Sequence, residues 1–435
     1  MSAQFYGPSD RPPLKKWIPL SFQHVFAMFG ATVLVPLLTG LSTSTALFTA
    51  GTGTLFYILI TKAKVPAFLG SSFAFIPALI GIGHAYGVPY AMGGAICAGI
   101  FYCIIAVIIR FTGKGWIDRA LPPVVIGSVI IVIGLCLAPT AINEAFYFNN
   151  EYSLVALSIA SVTLIVAIIA TIFFKNFFNT LSILIGLVAG YLFTLIMGFF
   201  FPAYRLIDFS GVQAAKWFAI PFLKENADGS LFWMAPKFNL VASLTFVIVS
   251  ISTICEHLGD TLTTSKVVGK DFYKDPGLHR TLVGDGFATA WAAVWGGPPN
   301  TTYGENIGVM AITKVYSVWV IGGAAVIAVV LSFCQKFGAL IQTIPTPVLG
   351  GICTLLYGLI ASSGLRTIVD AGVDYQDKRN LTISSVIMVI GIGGGVFQLN
   401  IGNDFKFSLG GVALATIIGI VLNIVIPKTP AEPAQ

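Results

Sequence analysis

Four carboxylates, Glu256, Asp260, Asp285 and Glu305, lie in stretches that otherwise carry almost no charge. Their setting points to proton and hydrogen-bond chemistry. Glu256 and Asp260 are four residues apart in Cys255-Glu256-His257-Leu258-Gly259-Asp260, so on a helix they share one face. Like charges at that spacing repel, and the two titrate as a coupled pair. The sequence places no Lys or Arg clearly among the four. An apolar setting disfavours the charged form of a carboxylate without a cationic partner. Such a group can carry a proton and can donate or accept a hydrogen bond. A water-exposed helix end near Lys266 is the plain structural alternative for the pair, but the mostly apolar run Val241–Ile254 before it favours depth within a span.

Glu305 belongs to Pro298–Lys314, PPNTTYGENIGVMAITK. This segment is too short and too irregular for a spanning helix, which needs about 20 apolar residues. Irregular backbone at membrane depth survives only where protein buries it or where it lines a cavity. An ionisable residue there marks a functional site. Thr302-x-x-Glu305 also has capping-box spacing, so the Thr302 side chain is expected to cap the helix that follows, a role compatible with solute binding by Glu305. Asn306 and Gly308 fall on its first turn, and Gly308 permits close approach of a neighbouring helix.

A second break lies at Leu69-Gly70-Ser71-Ser72-Phe73. Ser71 and Ser72 are capping candidates, and the Phe73 ring could stack on a flat solute. Free backbone N–H groups at both breaks could reach carbonyl oxygens. His24, alone in its apolar run, is expected to bond between helices rather than act as a ligand. His257, one residue off the carboxylate face, is expected to pack or cap. Tyr357 is expected to pack, with gating as its functional alternative. Carboxylate acceptors, backbone donors and aromatic rings together suit a small, flat, neutral solute bearing both N–H and C=O groups, as nucleobases do. Inorganic anions fit poorly, because unpaired acidic groups repel them.

These residues need a membrane scaffold to hold them. The 435 residues are 56% hydrophobic and 10% charged, with mean hydropathy +0.89, against about 25% charged in soluble domains. Neither Trp17–Thr61 nor Val65–Ile109 contains an Asp, Glu, Lys or Arg. Each run exceeds one span and reads as two helices joined by a neutral turn. An all-α integral membrane protein of about fourteen transmembrane segments follows. The segments start near Ile18, Thr45, Val65, Tyr90, Pro122, Ser153, Asn179, Asn239, Arg280, Pro298, Tyr316, Phe337, Leu381 and Ser408, and the third and tenth are the broken ones. With the N-terminus in the cytoplasm, eighteen Lys and Arg fall on inner loops. Six (Arg205, Lys216, Lys224, Lys237, Lys336 and Lys406) fall on outer ones, as the positive-inside rule requires. The net charge of +6 therefore reflects topology and implies no nucleic-acid partner. No cleavable signal peptide is evident. The six cysteines lack metal or disulfide spacing and read as small core hydrophobes. No HExxH, GxSxG or Cys/His cluster supports an enzyme, and no cofactor is called for beyond the proton as coupling ion.

The halves echo one another. Pro122-Pro123-Val124-Val125-Ile126-Gly127 opens the fifth segment, and Pro345-Thr346-Pro347-Val348-Leu349-Gly350 falls within the twelfth. Seven spans per half is odd, so the second half enters from the opposite side. This is an inverted repeat, common in secondary transporters, with a midplane site built by discontinuous segments.

Glu305-Asn306-Ile307-Gly308-Val309-Met310-Ala311-Ile312-Thr313-Lys314 matches in full the signature [QEP]-N-x-G-x-x-x-x-T-[RKG]. The chain thereby resembles the nucleobase–ascorbate transporters (nucleobase:cation symporter family 2). The lead-in Asn300–Gly304, the Leu69–Phe75 break and Gln23-His24 look like the uracil-carrying branch. The resemblance covers essentially the whole chain. It implies a 7+7 inverted fold with short β-strands in broken spans 3 and 10. A core domain (17–112 and 238–336) would move against a gate domain (113–201 and 337–428), with an outer loop at 202–237, in a multi-pass protein of the inner or plasma membrane with both termini cytoplasmic. A homodimer is implied as well. By motif position, Glu256 and Glu305 would hydrogen-bond the base. Backbone amides at Phe73 and Gly304 would meet its carbonyls, with Ser72 at the same break, and Tyr303 would line the pocket. Glu at 305 resembles the uracil branch, whereas Asp260 and Asp285 resemble purine carriers. The resemblance thus implies proton-coupled uracil import by alternating access, with xanthine or another nucleobase as the alternative. The proton carrier is left as Glu256, Asp260 or the pair. An anion exchanger or channel of the same fold is the alternative of another class, one expected to favour cationic or neutral groups at the breaks.

Overall fold

A chain within hydrocarbon must pair every backbone N–H and C=O with itself, and the uncharged runs do so as helices. The computed structural model describes residues 5–175, 178, 181–225, 230–401 and 405–427. In chain order the principal elements are α1 (Leu14–Thr39), α2 (Thr43–Ile60), β1 (Leu69–Ser71), α3 (Ile76–Ala85), α4 (Val88–Thr112), α5 (Pro123–Leu135), α6 (Ala138–Phe146), α7 (Leu154–Phe173) and α8 (Ser182–Phe200). The second half holds α9 (Leu240–Val268), α10 (Leu278–Val294), β2 (Asn300–Thr302), α11 (Gly304–Thr313), α12 (Val318–Ser332), α13 (Gln335–Gln342), α14 (Thr346–Asp370), α15 (Lys378–Ile392) and α16 (Gly411–Val425).

Among the described residues eight helices are long and apolar enough to cross a membrane, α5 and α6 together making one, and α12 with α13 makes a ninth if that bent pair is one span. The other expected crossings correspond to shorter pieces: α10, α15, α16 and the two strand–helix segments β1–α3 and β2–α11. Asn179, where the seventh segment is expected to begin, lies outside the described residues, as do Lys428 and the chain end. Local chemistry sets the ends of the long helices. The Asn239 side chain accepts hydrogen bonds from the Val241 and Ala242 amides at the start of α9, a standard N-cap. Gly40 and Gly269, at φ 71° and 74°, end α1 and α9 in the left-handed conformation that glycine adopts without a Cβ penalty.

One boundary differs from expectation. The sequence predicts the twelfth segment from about Phe337, with Pro345 inside it. Instead α13 stands apart, turned 86° from α12, and Pro345 is the residue just before α14. Proline lacks an N–H and disfavours the helical region for the residue before it, so the chain breaks at Ile344. Pro122 precedes α5 in the same way, and the repeat is closer than the sequence suggested.

Lipid gives helices little hydrophobic reason to associate, so close contact depends on small residues. α10 lies against α2 and α4, and α14 against α5, α6 and α7. A Cβ at Gly286 would stand 2.4 Å from Tyr102 Cβ, and one at Gly99 2.4 Å from the Gly286 carbonyl oxygen. Across the α5–α14 contact, a Cβ at Gly134 would stand 2.5 Å from the Tyr357 oxygen.

The loops sort into two sets. On one face Lys64 pairs with Asp275 at 2.5 Å, Lys266 with Asp370 at 3.7 Å, Lys114 lies over Tyr273, and Tyr6 bridges to Val315. On the other, Thr45 Oγ1 donates to Pro221 O, Lys336 Nζ to Val212 O and Trp233 Nε1 to Val294 O. Each of these contacts joins loops that alternation assigns to the same side.

Gly286→Leu should lower the melting temperature in detergent by an amount equivalent to about 1–3 kcal/mol, the usual cost of overpacking. Gly81→Ala, with nothing within 4 Å of its Cβ, should leave melting unchanged or raise it.

Candidate functional site

The site begins where two helices fail to form. β1 and β2 pair antiparallel, with Leu69 opposite Thr302, Gly70 opposite Thr301 and Ser71 opposite Asn300. The ladder continues past both ends: Ser72 N–H donates to Pro299 O at 2.8 Å, and Tyr303 N–H to Phe68 O at 3.0 Å. Neighbouring helices supply further bonds. Leu69 N–H donates to Thr54 Oγ1, Asn300 Nδ2 to Thr49 O, and Thr289 Oγ1 to Asn300 O. The interruption is affordable because its backbone is paired and buried.

Each strand then turns into a helix start, a short 3₁₀ turn at Phe73–Phe75 leading to α3, and Gly304 opening α11. Helix N-termini leave backbone N–H groups without intrahelical acceptors. Tyr303 pins the junction. Its ring lies across Gly70, where a Cβ would stand 2.5 Å from the ring, and its hydroxyl donates to Ser71 O at 3.1 Å and accepts from Thr32 Oγ1.

A cavity of about 250 Å³ adjoins these starts. Phe73, Glu256, Asp260, Tyr303, Gly304 and Glu305 line one wall; Ile130 of α5 with Leu359, Ser363 and Arg366 of α14 form the other. The volume is below the roughly 300–1,000 Å³ of drug-sized sites, and suits a smaller solute. The rim includes Thr263, Val267 and Ala311, so the cavity opens toward the face where Lys266 meets Asp370. Toward the opposite face the Phe73 ring meets Tyr357 edge-on, centroids 5.8 Å apart at 79°.

Six expected residues thus share one cavity: Glu256, Asp260, Glu305, Phe73, Tyr303 and Gly304. The others stand behind it. Ser72 is buried and spends its amide on Pro299. The Asn306 amide nitrogen lies 3.1 Å from His24 Nδ1 and donates to His24 O, so both side chains serve the α1–α11 contact. Asp285 is fully buried with Oδ2 3.0 Å from His257 Nδ1, while His257 Nε2 lies 3.0 Å from Thr281 Oγ1. Tyr357 backs Phe73.

The capping box is not formed. Tyr303 is the N-cap and receives no side-chain cap, and Thr302 Oγ1 donates instead to Asp260 Oδ2 at 2.8 Å. Thr302 still belongs to β2, one residue before the N-cap, so the strand directs its side chain away from the helix start and toward Asp260. Arg366 escaped the sequence reading altogether. Near the end of an apolar helix it reads as one more inner-loop cation, and only the packing of α14 on α5 turns it to the cavity. The expectation that no cation stands near the carboxylates is corrected accordingly.

With the geometry in place, comparison with known proteins is informative. The permease family profile matches residues 15–401. The uracil permease of Bacillus subtilis is 49% identical over 435 residues, covering 99% of this chain and 97% of that protein. The uracil permease of Escherichia coli K12 is 43% identical, covering 98% and 94%. Among solved structures, the murine Slc26a9 anion transporter in its inward-facing state superposes with a TM-score of 0.68 at 11% identity, covering 96% of this chain and 69% of that one. At that identity the likeness shows a shared membrane-transporter fold and nothing of the solute.

Thr302→Val should leave Asp260 without its hydroxyl donor and cost about 1–3 kcal/mol of stability in detergent melts. Thr302→Ser should restore most of it.

Proposed function

The chain belongs to this permease family, and on that premise we propose that it is a proton-coupled uracil importer of the cytoplasmic membrane, working by alternating access. The observation that carries this reading is the wall on which three carboxylates, two helix starts and the Phe73 and Tyr303 rings meet around about 250 Å³. The N–H groups of a pyrimidine would donate to Glu256 and Glu305. Its carbonyls would accept from backbone amides at Phe73 and Gly304, and Phe73 would cover one ring face. The relatives named uracil permease favour uracil among the nucleobases.

The proposed cycle uses two bodies. The core (17–112 and 238–336) carries the strands and carboxylates, and the gate (113–201 and 337–428) carries α5 and α14. The outer loop, 202–237, spans between them. Protonation of the Glu256/Asp260 pair from outside removes a like-charge repulsion and favours binding. The core then shifts against the gate, and release follows when the proton leaves inside. Both termini are cytoplasmic in this reading, and the working unit is a homodimer in the lipid bilayer.

A purine carrier is the second reading, carried by Asp260 and Asp285. Asp285 stands with His257 behind the cavity, which favours a scaffold role over solute contact. An anion carrier of the same fold would have to place its solute against Glu256, Asp260 and Glu305, which repel it.

Radiolabelled uracil uptake into proteoliposomes tests the proposal. Accumulation above equilibrium under an inward proton gradient, competed by thymine more than by xanthine, is the expected result. Equal competition by xanthine would favour the broader carrier, and no nucleobase uptake by intact protein would sink the reading. Glu305→Gln should weaken uracil binding about tenfold, the loss of one charge-assisted hydrogen bond. Unchanged affinity would remove its contact role. Asp260→Asn should abolish gradient-driven accumulation, and preserved accumulation would show that it does not carry the proton.

A further inference from the structure

The cavity holds one cation that neither the fold nor the solute contacts use. Arg366, on α14, lines the same cavity as Glu305. It is exposed, and among the described residues it makes no ion pair or hydrogen bond. Glu305 is half-buried and its side chain likewise has no side-chain partner. The remaining charges facing this space are Glu256 and Asp260 from α9. Lys266, just past the rim, is held by Asp370 at 3.7 Å, and α5 contributes only apolar Ile130.

Arg366 and Glu305 ride on different helices with different main neighbours. α14 packs chiefly on α5, α6 and α7, and α11 on α1 and α9, with α9 meeting α5 and α14 where the two sets touch. A shift of one set against the other therefore changes their separation. The guanidinium is always charged, and its fork fits a carboxylate through two parallel hydrogen bonds. The carboxylates, in contrast, change charge with their protons.

We propose that Arg366 is the movable counter-charge of this site, closing the mouth on Glu305 when the cavity is empty and its carboxylates have lost their protons. This rests on the reading of the cavity as a proton-coupled solute site. An empty, proton-free cluster of acids is costly to enclose within a membrane protein. Pairing with Arg366 lowers that cost and lets the empty carrier return. When solute and proton occupy the site, Glu305 is engaged and Arg366 stays in solvent at the mouth. The residue thus acts on the return of the empty carrier, which net uptake requires and solute exchange does not.

The experiment compares native protein, Arg366→Gln and Arg366→Lys in proteoliposomes, measuring both gradient-driven uracil uptake and uracil/uracil exchange. In Arg366→Gln, net uptake should fall about tenfold or more while exchange and uracil affinity stay within about twofold, and Arg366→Lys should recover part of the loss. Equal loss of uptake and exchange would overturn the proposal, as would loss of neither. A readout without solute keeps it separate from the uracil assignment. Ser363→Cys at the mouth is labelled by a membrane-impermeant thiol reagent in detergent, with and without Arg366→Gln, over the native cysteine background. In mildly alkaline buffer the cysteine should react several-fold more slowly when Arg366 is present, once each rate is corrected for that variant's own thiol ionisation, read from the pH dependence of labelling. Equal rates would refute the closure even if uracil transport is confirmed. Slower labelling with no nucleobase uptake would uphold the closure and reject the solute.

Discussion

The backbone ladder between β1 and β2 is the constraint on which the rest depends. A transporter site needs exposed backbone donors at mid-membrane, yet hydrocarbon tolerates no unpaired backbone. Three facing residue pairs, extended by Ser72 to Pro299 and Tyr303 to Phe68, resolve that conflict. They pair part of the backbone of the interruption and leave free the amides at the two helix starts. Everything at the cavity wall refers to this ladder. Tyr303 lies over Gly70 because the strands approach that closely, and Asp260 is held because Thr302 is a strand residue with its hydroxyl turned to α9.

Much of this was legible in the residues. Glycine, proline and short polar side chains clustered together interrupt a span, so both breaks are legible, and the pair Glu256 and Asp260 on one helical face follows from spacing alone. Tertiary direction was not legible. Thr302-x-x-Glu305 has capping-box spacing, but whether Thr302 bonds forward along its own chain or sideways to Asp260 depends on a helix about 40 residues upstream. Arg366 has no local signature, since an arginine near a helix end serves topology equally well. Asp285 was drawn into the site group because charge at membrane depth is informative; its place behind the cavity is set by His257 packing against α10. The segment Gln335–Gln342 continues an apolar stretch in the sequence, but it turns 86° from α12 and the proline that follows keeps it out of α14.

The shared fold with an anion transporter clarifies what the scaffold leaves open. In this chain the paired breaks bring two helix starts to one place, and their partial positive charge favours electron-rich groups. The side chains around them decide which groups. Three acids, Glu256, Asp260 and Glu305, stand beside the starts here and oppose an anion. Fold and solute are thus separable properties.

The two strands also bear on how the chain comes to be assembled. Ser71 and its hydrogen-bond partner Tyr303 are 232 residues apart, one in each half. When β1 leaves the ribosome, the strand that completes its ladder has not been made. The first break cannot rest in lipid with its amides bare, so it must wait at the interface or among water and chaperoning surfaces until the tenth segment arrives. Insertion of this protein is therefore not a succession of independent helices. Its third segment has a delayed commitment, and the cavity cannot close before both the tenth segment and α14 have been made.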